Sequence, residues 1–175
     1  MTPELLQKFN LLEEIRHRIN FQVAQMNDAQ FNHQIREGKW SAGQIIFHLV
    51  QVETFSINYV NKKLMYREDL KNTGLGASFR FFLLKFFLFL PVKYKAPSTV
   101  ASVPDKISKD DLLLQWENIR KELAKLLDDF PPELMEKNIF KHLRAGRLNI
   151  SQMMDFIHDH LNHHQPQIDV AVENT

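Results

Sequence analysis

Residues 39–53 read KWSAGQIIFHLVQVE, and this short stretch indicates how the chain folds. Ser41 is followed three residues later by Gln44, which is the capping-box pairing that begins many α-helices. From Ile45 onward, apolar residues recur at intervals of three and four, the period of a helix that buries one face. We therefore predict a helix that begins after Ser41 and ends near Met65.

Three other segments repeat this amphipathic period. Thr2 is a suitable N-cap and Pro3 suits the first helical position of the first of them. The first two of these segments span residues 3–26 and 108–130, and the third begins near Asn149 or Ser151 and ends near residue 172. With only five glycines and almost no alternating β-branched runs, the chain is predicted to be all-α. Four amphipathic helices of this length predict a four-helix bundle.

Residues 68–107, between the second and third helices, form the least regular part of the sequence. Six of the 14 phenylalanines lie within residues 79–90, and we predict a Phe-rich insertion there that is helical or irregular. It is too short, and too interrupted by Lys85 and Pro91, to span a bilayer. Three roles remain open for this insertion. It is a buried lid on the bundle, a dimer surface or substrate wall, or an interfacial membrane helix.

The composition narrows the classes of function. The 175 residues suit one domain, and we predict a single domain over residues 1–175. Cysteine is absent, which excludes disulfides, thiolate zinc sites and a cysteine nucleophile. A net charge of +1 gives no basic face for nucleic acid, so no nucleic-acid partner is expected. The sequence contains no recognisable signal peptide or transmembrane segment, and a cytoplasmic protein is expected.

Four of the eight histidines lie in HDHLNHHQPQI, residues 158–168. His160 and His164 are four residues apart, so on a helix they lie on one face, one turn apart, and can chelate one divalent ion. His163 forms a competing pair with His160, but the apolar stripe through Leu161 places His160 and His164 on the buried side. The alternative is a solvated, His-rich helix end that binds no metal.

His48 would complete such a site. It lies between Ile45 and Val52 on the buried face of the second predicted helix. A single histidine on an apolar face is often only a hydrogen-bonded core residue. Helix bundles, however, build metal sites from inward side chains of facing helices, and three histidines with open positions for water make a catalytic type of site. The three together are our candidate ligands for a divalent ion: His48, His160 and His164.

Two segments carry a family resemblance. Residues 39–53 resemble the gkWS-x-x-e-hl-x-HL segment of the DinB-like family, and residues 146–168 resemble its last-helix motif, H-x-x-H-H-x-x-Q-I. The resemblance implies a DinB-type bundle, frequent homodimers and metal ligands at His48, His160 and His164. The family includes metal-dependent thiol transferases, so the resemblance also implies chemistry on a small molecule.

Two classes of function follow as expectations. The first is a metal-dependent enzyme that transfers a low-molecular-weight thiol or hydrolyses a small molecule. The second is a non-catalytic protein that binds a metal or an apolar ligand in a stress response. Zn or Ni is the expected ion, and Fe or Mn suits the same donors. Because imidazole must be neutral to bind a metal, binding is expected to weaken below about pH 6.

The remaining candidates are weaker. His142 is interpreted as a loop histidine that could reach a pocket rim. Glu53 is interpreted as a solvated carboxylate, with a hydrogen bond to a metal ligand of another helix as the alternative. Three further histidines are interpreted as surface residues: His17, His33 and His158. Pro166 follows His164 by two residues and removes one backbone donor from the last helix, where a kink is expected.

Overall fold

The computed structural model describes residues 1–72, 103–142 and 144–175, and these residues are mostly helical. The helices are α1 (Pro3–Val23), α2 (Asp28–Phe31), α3 (Ala42–Leu64), α4 (Lys109–Asp128) and α5 (Ile150–Glu173). Short 3-10 turns occupy Arg67–Asp69 and Pro132–Leu134, and an antiparallel hairpin pairs β1 (Phe140–His142) with β2 (Gly146–Leu148). The all-α prediction is confirmed as a mostly helical chain that also carries one small hairpin.

The long helices begin close to the positions predicted from their capping residues. The Ser41 hydroxyl accepts from the Gln44 backbone N–H, and the Gln44 side chain accepts from the Ser41 backbone N–H. Helix α5 begins in the same way, with Asn149 and Gln152 as the reciprocal pair. The Ser108 hydroxyl caps α4. Each cap satisfies backbone donors that a helix cannot pair internally.

Side-chain pairs between α1 and α5 show that these two helices run parallel. The pairs are Glu4 with Ser151, Lys8 with Asp155, Arg18 with Gln165, and Gln22 with Asp169. Each pair is separated by 147 residues in the sequence. A constant separation along both helices requires that they point in the same direction.

Helix α4 runs antiparallel to α1. At one end, the Lys109 ammonium donates to the Met26 carbonyl just beyond α1. At the other end, the amino group of Met1 lies 3.4 Å from the Asp128 carboxylate. The beginning of each helix therefore lies beside the end of the other.

Helix α3 runs parallel to α4 and packs against both α4 and α5. Gln44, early in α3, binds the Pro104 carbonyl just before α4, whereas Glu53 binds Arg120 further along both helices. The four long helices thus point up, down, down and up in chain order. Such an order needs a long connection between α3 and α4, as the length of the insertion allows.

The buried faces of the four long helices match the predicted apolar stripes. Their fully buried side chains include Leu12, Ile19, Ile45, Leu49, Trp116, Leu123, Ile157 and Leu161. Near the end of the α3 stripe, Ile57 is buried and Phe55 is exposed. Burial of these stripes supplies the main driving force for packing the helices together.

Two segments between the long helices also contain regular structure. Residues 27–38 include the one-turn helix α2, which begins with a capping box formed by Asn27 and Gln30. Residues 131–149 include the hairpin, in which Gly146 has a φ of 77°. Only glycine adopts this backbone conformation without strain, so Gly146 permits the turn.

The insertion predicted over residues 79–90 lies outside the described residues. Within the described ranges, every helix is either too short or too polar to cross a bilayer.

Candidate metal centre

Three histidines from two antiparallel helices come together between α3 and α5. His48 lies early in α3, and His160 and His164 lie one turn apart in the middle of α5. One ring nitrogen from each lies within 4.8 Å of the other two. His48 and His164 are buried, while His160 is half-buried and gives the cluster one side nearer to solvent.

The closest pair of ligating atoms has the spacing of a metal site. The Nε2 atoms of His48 and His160 are 3.3 Å apart. Two nitrogens bound to one tetrahedral zinc at about 2.0–2.1 Å would be separated by about 3.3 Å. The ring of His164 lies 4.7 Å from that of His160 and 5.1 Å from that of His48, measured between centroids. The donor set and its spacing therefore fit a divalent ion with little rearrangement.

The rings of His160 and His164 are neutral at physiological pH, because the folded protein lowers the pKa of both. Burial, together with positive charge on His164 or His48, holds the pKa of His160 well below its usual range. Burial and the proximity of His48 lower the pKa of His164 to about 3, although its hydrogen bond to Gln167 opposes the shift. A histidine must be neutral to donate a lone pair to a metal, so the folded protein presents these two rings ready to bind.

Neighbouring side chains orient the cluster. The Gln167 side-chain oxygen lies 3.2 Å from Nδ1 of His164, so it accepts from an Nδ1–H and leaves Nε2 of His164 as the ligating atom. The Trp40 ring contacts His48 at 5.2 Å between centroids, and the Phe156 ring stacks on His160 at 5.6 Å. The histidines are thus positioned by the hydrogen bond with Gln167 and by contacts with the rings of Trp40 and Phe156.

Comparison with known proteins identifies the family. The model of the DinB superfamily matches residues 11–168, which is most of the chain and includes all three histidines. The chain belongs to the DinB superfamily. The resemblance noted from two sequence segments is therefore confirmed. No curated protein and no solved structure gives a match to this chain.

Two further histidines of α5 in this DinB-superfamily chain, His158 and His163, are not members of the three-histidine cluster. The ring of His163 contacts His164 from the side, with a centroid distance of 5.2 Å, and is not part of the cluster. His158 lies beside Asp159 and Asn162. Pro166 lies inside α5, and the helix continues beyond it to Glu173. Its missing N–H therefore does not end the helix that positions His164.

The interpretation of Glu53 as a solvated carboxylate is wrong. Its side chain is buried and accepts hydrogen bonds from Nη2 of Arg120 at 2.9 Å and from the indole of Trp116 at 3.2 Å. Burial raises the pKa of the carboxyl, and the charge of Arg120 and the two hydrogen bonds oppose that shift. Arg120 also lies 3.7 Å from Glu13 of α1. We refer to Glu13, Glu53, Trp116 and Arg120 as the ion-pair cluster.

His142 lies at the end of β1, rather than in an irregular loop, and packs against the centre. Its ring contacts Phe156 at 4.5 Å between centroids, on the residue that also stacks on His160. Burial and the charge of Arg144 lower its pKa to about 4. One signal for this position is visible in the sequence, a histidine among basic residues near the last helix, but the strand that orients it is not.

Proposed function

We propose that His48, His160 and His164 together bind one divalent metal ion in this chain. The observation that carries the proposal is the convergence of three imidazoles, two of whose ligating atoms are 3.3 Å apart. We further propose that the four long helices form one four-helix bundle, with residues 1–175 as a single domain. In that bundle the ion would connect the early part of α3 to the middle of α5.

The donor set favours Zn or Ni. Imidazole nitrogens suit Zn, Cu, Fe and Ni, and affinity for the late divalent metals generally exceeds that for Mn or Fe. Fe and Mn remain compatible with the same three donors. Three protein ligands leave open positions for water or substrate, which is the arrangement of catalytic rather than structural sites.

We propose that this centre serves an enzyme that transfers a low-molecular-weight thiol to a small electrophile or hydrolyses a small molecule. When bound, the ion would lower the pKa of a coordinated thiol or water and so provide a nucleophile at neutral pH. His160 is half-buried and leaves access from one side. Trp40 and Phe156 supply apolar surface for the rest of a substrate.

A non-catalytic metal-binding role is the second candidate. Among the described residues, the cluster contains histidines alone, without a carboxylate to act as general base. The nearest buried carboxylate on α3, that of Glu53, is engaged by Arg120 and Trp116. A protein that stores or senses a metal would need no such base.

Metal analysis of the purified protein tests the site. We expect about one equivalent of Zn or Ni per chain after incubation and desalting, and we expect His160→Ala to lose it. His163→Ala is the matched control, since His163 lies on the same helix and outside the cluster. Retention of metal by His160→Ala, or its loss from His163→Ala, would contradict the ligand assignment.

A screen of thiol transfer then separates the two candidates. The metal-loaded chain is mixed with small thiols and a chromogenic electrophile, with His48→Ala as the blank. Turnover that requires His48 supports the enzyme, and stoichiometric metal binding without turnover supports the binding role. The homodimer and the cytoplasmic location expected from the sequence remain predictions, and light scattering at micromolar concentration tests the first of them.

A further inference from the structure

His142 is held in one tautomer by the hairpin turn. Its Nδ1 accepts the backbone N–H of Arg144 at 3.2 Å and that of Ala145 at 3.1 Å. A neutral imidazole has one acceptor nitrogen and one donor nitrogen. Because Nδ1 accepts both of these hydrogen bonds, the proton of the neutral ring must be on Nε2.

The Nε2–H group of His142 is available to a ligand. Within residues 1–72, 103–142 and 144–175 it has no hydrogen-bond partner, and the ring is half-buried rather than enclosed. The ring lies against Phe156, on the side of the hairpin that faces the three-histidine cluster. A charge on His142 would also be felt at His160, which is a further sign that the two rings are near each other.

The charge around this donor favours an anion. Arg144, in the turn, is close enough to lower the pKa of His142 through its positive charge. A neutral N–H donor beside a cation suits a carboxylate oxygen, since hydrogen bonds to charged acceptors are stronger than neutral ones.

We infer that the Nε2–H of His142, supported by the cation of Arg144, binds a carboxylate group of the small molecule that reacts at the three-histidine centre. The reaction at the three-histidine centre rests on the proposed function, because it needs the metal. The contact between His142 and the carboxylate does not require a metal. His142 acts as a hydrogen-bond donor in this role. It is neither a fourth metal ligand, since it lies outside the three-histidine cluster, nor a base, since its acceptor nitrogen is occupied.

The hairpin provides a matched control on its other face. Lys141 and Arg147 are directly opposite each other in the register, and both are exposed. Successive residues of a strand point to opposite faces, so Lys141 points away from the face that carries His142. Lys141→Ala removes a positive charge from the same hairpin without touching the proposed carboxylate site.

Two substitutions separate the structural role of Nδ1, which accepts the N–H groups of the turn, from the proposed role of the Nε2–H donor. In His142→Asn, the amide oxygen occupies the position of Nδ1 and can still accept the two turn N–H groups, but the Nε2–H is gone. In His142→Gln, the amide nitrogen occupies the position of Nε2 and keeps a donor there. A residue with only a structural role would be rescued by Asn, whereas a carboxylate donor would be rescued by Gln.

The experiment is an acetate titration of protein labelled with ¹⁵N-histidine, with acetamide as the uncharged control. We expect the His142 ring to report the Nε2–H tautomer and to shift with acetate but not with acetamide. The acetate affinity should fall roughly tenfold or more in His142→Asn, the loss expected for one hydrogen bond to a charged group. His142→Gln and Lys141→Ala should bind acetate as the wild type does.

The titration is run on both the zinc-treated and the metal-free protein, so that the two proposals can fail separately. If zinc does not bind, the proposed function fails and the metal-free titration still tests His142. If zinc binds at the three histidines but acetate leaves His142 unperturbed in both forms, the carboxylate inference is overturned. Equal acetate affinity in His142→Asn and wild type, or an equal loss in Lys141→Ala, would overturn it as well.

Discussion

Helix α3 contributes to two buried polar clusters that differ in how their charges are balanced. Toward α4 and α1 lies the ion-pair cluster, in which the Glu53 carboxylate is matched by the Arg120 guanidinium and by the Trp116 indole. Toward α5 lies the three-histidine cluster, whose members are all bases and include no acidic partner among the described residues. His48 and Glu53 are only five residues apart on the same helix.

The difference separates a cluster whose charges are paired within the chain from one that can accept a ligand. A buried charge is costly unless it is paired, and the ion-pair cluster supplies both partners from within the chain. Three clustered imidazoles can stay uncharged, at the cost of lowered pKa values, and their lone pairs then suit a cation from outside. The first cluster fixes how helices pack, and the second is where chemistry can take place.

Breaking the ion-pair cluster should have the largest effect on stability. Arg120→Met leaves Glu53 buried without its counter-ion, and removing one partner of a buried pair typically costs about 3–5 kcal/mol. Urea unfolding of the metal-free protein measures this loss. Lys125→Met removes an exposed ion pair on the same helix and should change the transition little. If Arg120→Met unfolds at the wild-type urea concentration, the ion-pair cluster is not structural.

Zinc should stabilise the protein through the other cluster alone. At a free concentration one hundred times the dissociation constant, a ligand that binds only the folded state adds about 2.7 kcal/mol. We expect this increment in wild type and in His163→Ala but not in His160→Ala, as measured by urea unfolding with and without zinc. Arg120→Met, if folded, should start from a lower free energy of unfolding and gain the same increment when zinc is added. An increment that depends on Arg120 would mean that the two clusters are coupled.

Acidification should destabilise the metal-free protein through His160 and His164, whose pKa values are lowered in the folded state. Their folded pKa values are lowered, that of His164 to about 3, whereas a histidine in the unfolded chain titrates near 6.5. Protons therefore bind the unfolded state first, and the stability present above pH 6.5 is lost as the pH falls below it. Each such histidine contributes up to about 1.4 kcal/mol per pH unit in this window.

The measurement is a urea series from pH 7 to pH 5 on metal-free wild type and His164→Leu. The variant should show the shallower dependence on pH, while His33→Gln, an exposed control, should follow the wild type. A flat wild-type profile would contradict buried neutral rings. The same lowered pKa values of His160 and His164 place proton competition for the metal at a lower pH than the value near 6 expected from sequence.

The sequence predicted what depends on neighbours along the chain. The long helices follow from apolar spacing and from caps such as Ser41 and Asn149, both of which are local signals. The His160 and His164 pair follows from the four-residue helical repeat. Adding His48 required only the assumption that the apolar face of its helix faces α5.

What the sequence did not predict depends on contacts between distant residues or on very short elements. Glu53 looked solvated because its partners Trp116 and Arg120 lie 63 and 67 residues further along the chain. The strands around His142 have three residues each, too few for an alternating pattern to stand out. Both errors concern polar residues whose environment is set by tertiary packing.

The chain's two tryptophans happen to divide between the two clusters. Trp40 is half-buried against His48, and Trp116 is fully buried with its indole N–H on Glu53. A partly exposed indole fluoresces at longer wavelength than a buried one, so the two residues should contribute separable emission bands. A paramagnetic ion such as Ni²⁺ quenches indole fluorescence over a short range, so binding beside His48 would dim the longer-wavelength band first. The protein thus carries one optical reporter for its metal centre and another for the packing of α3 against α4.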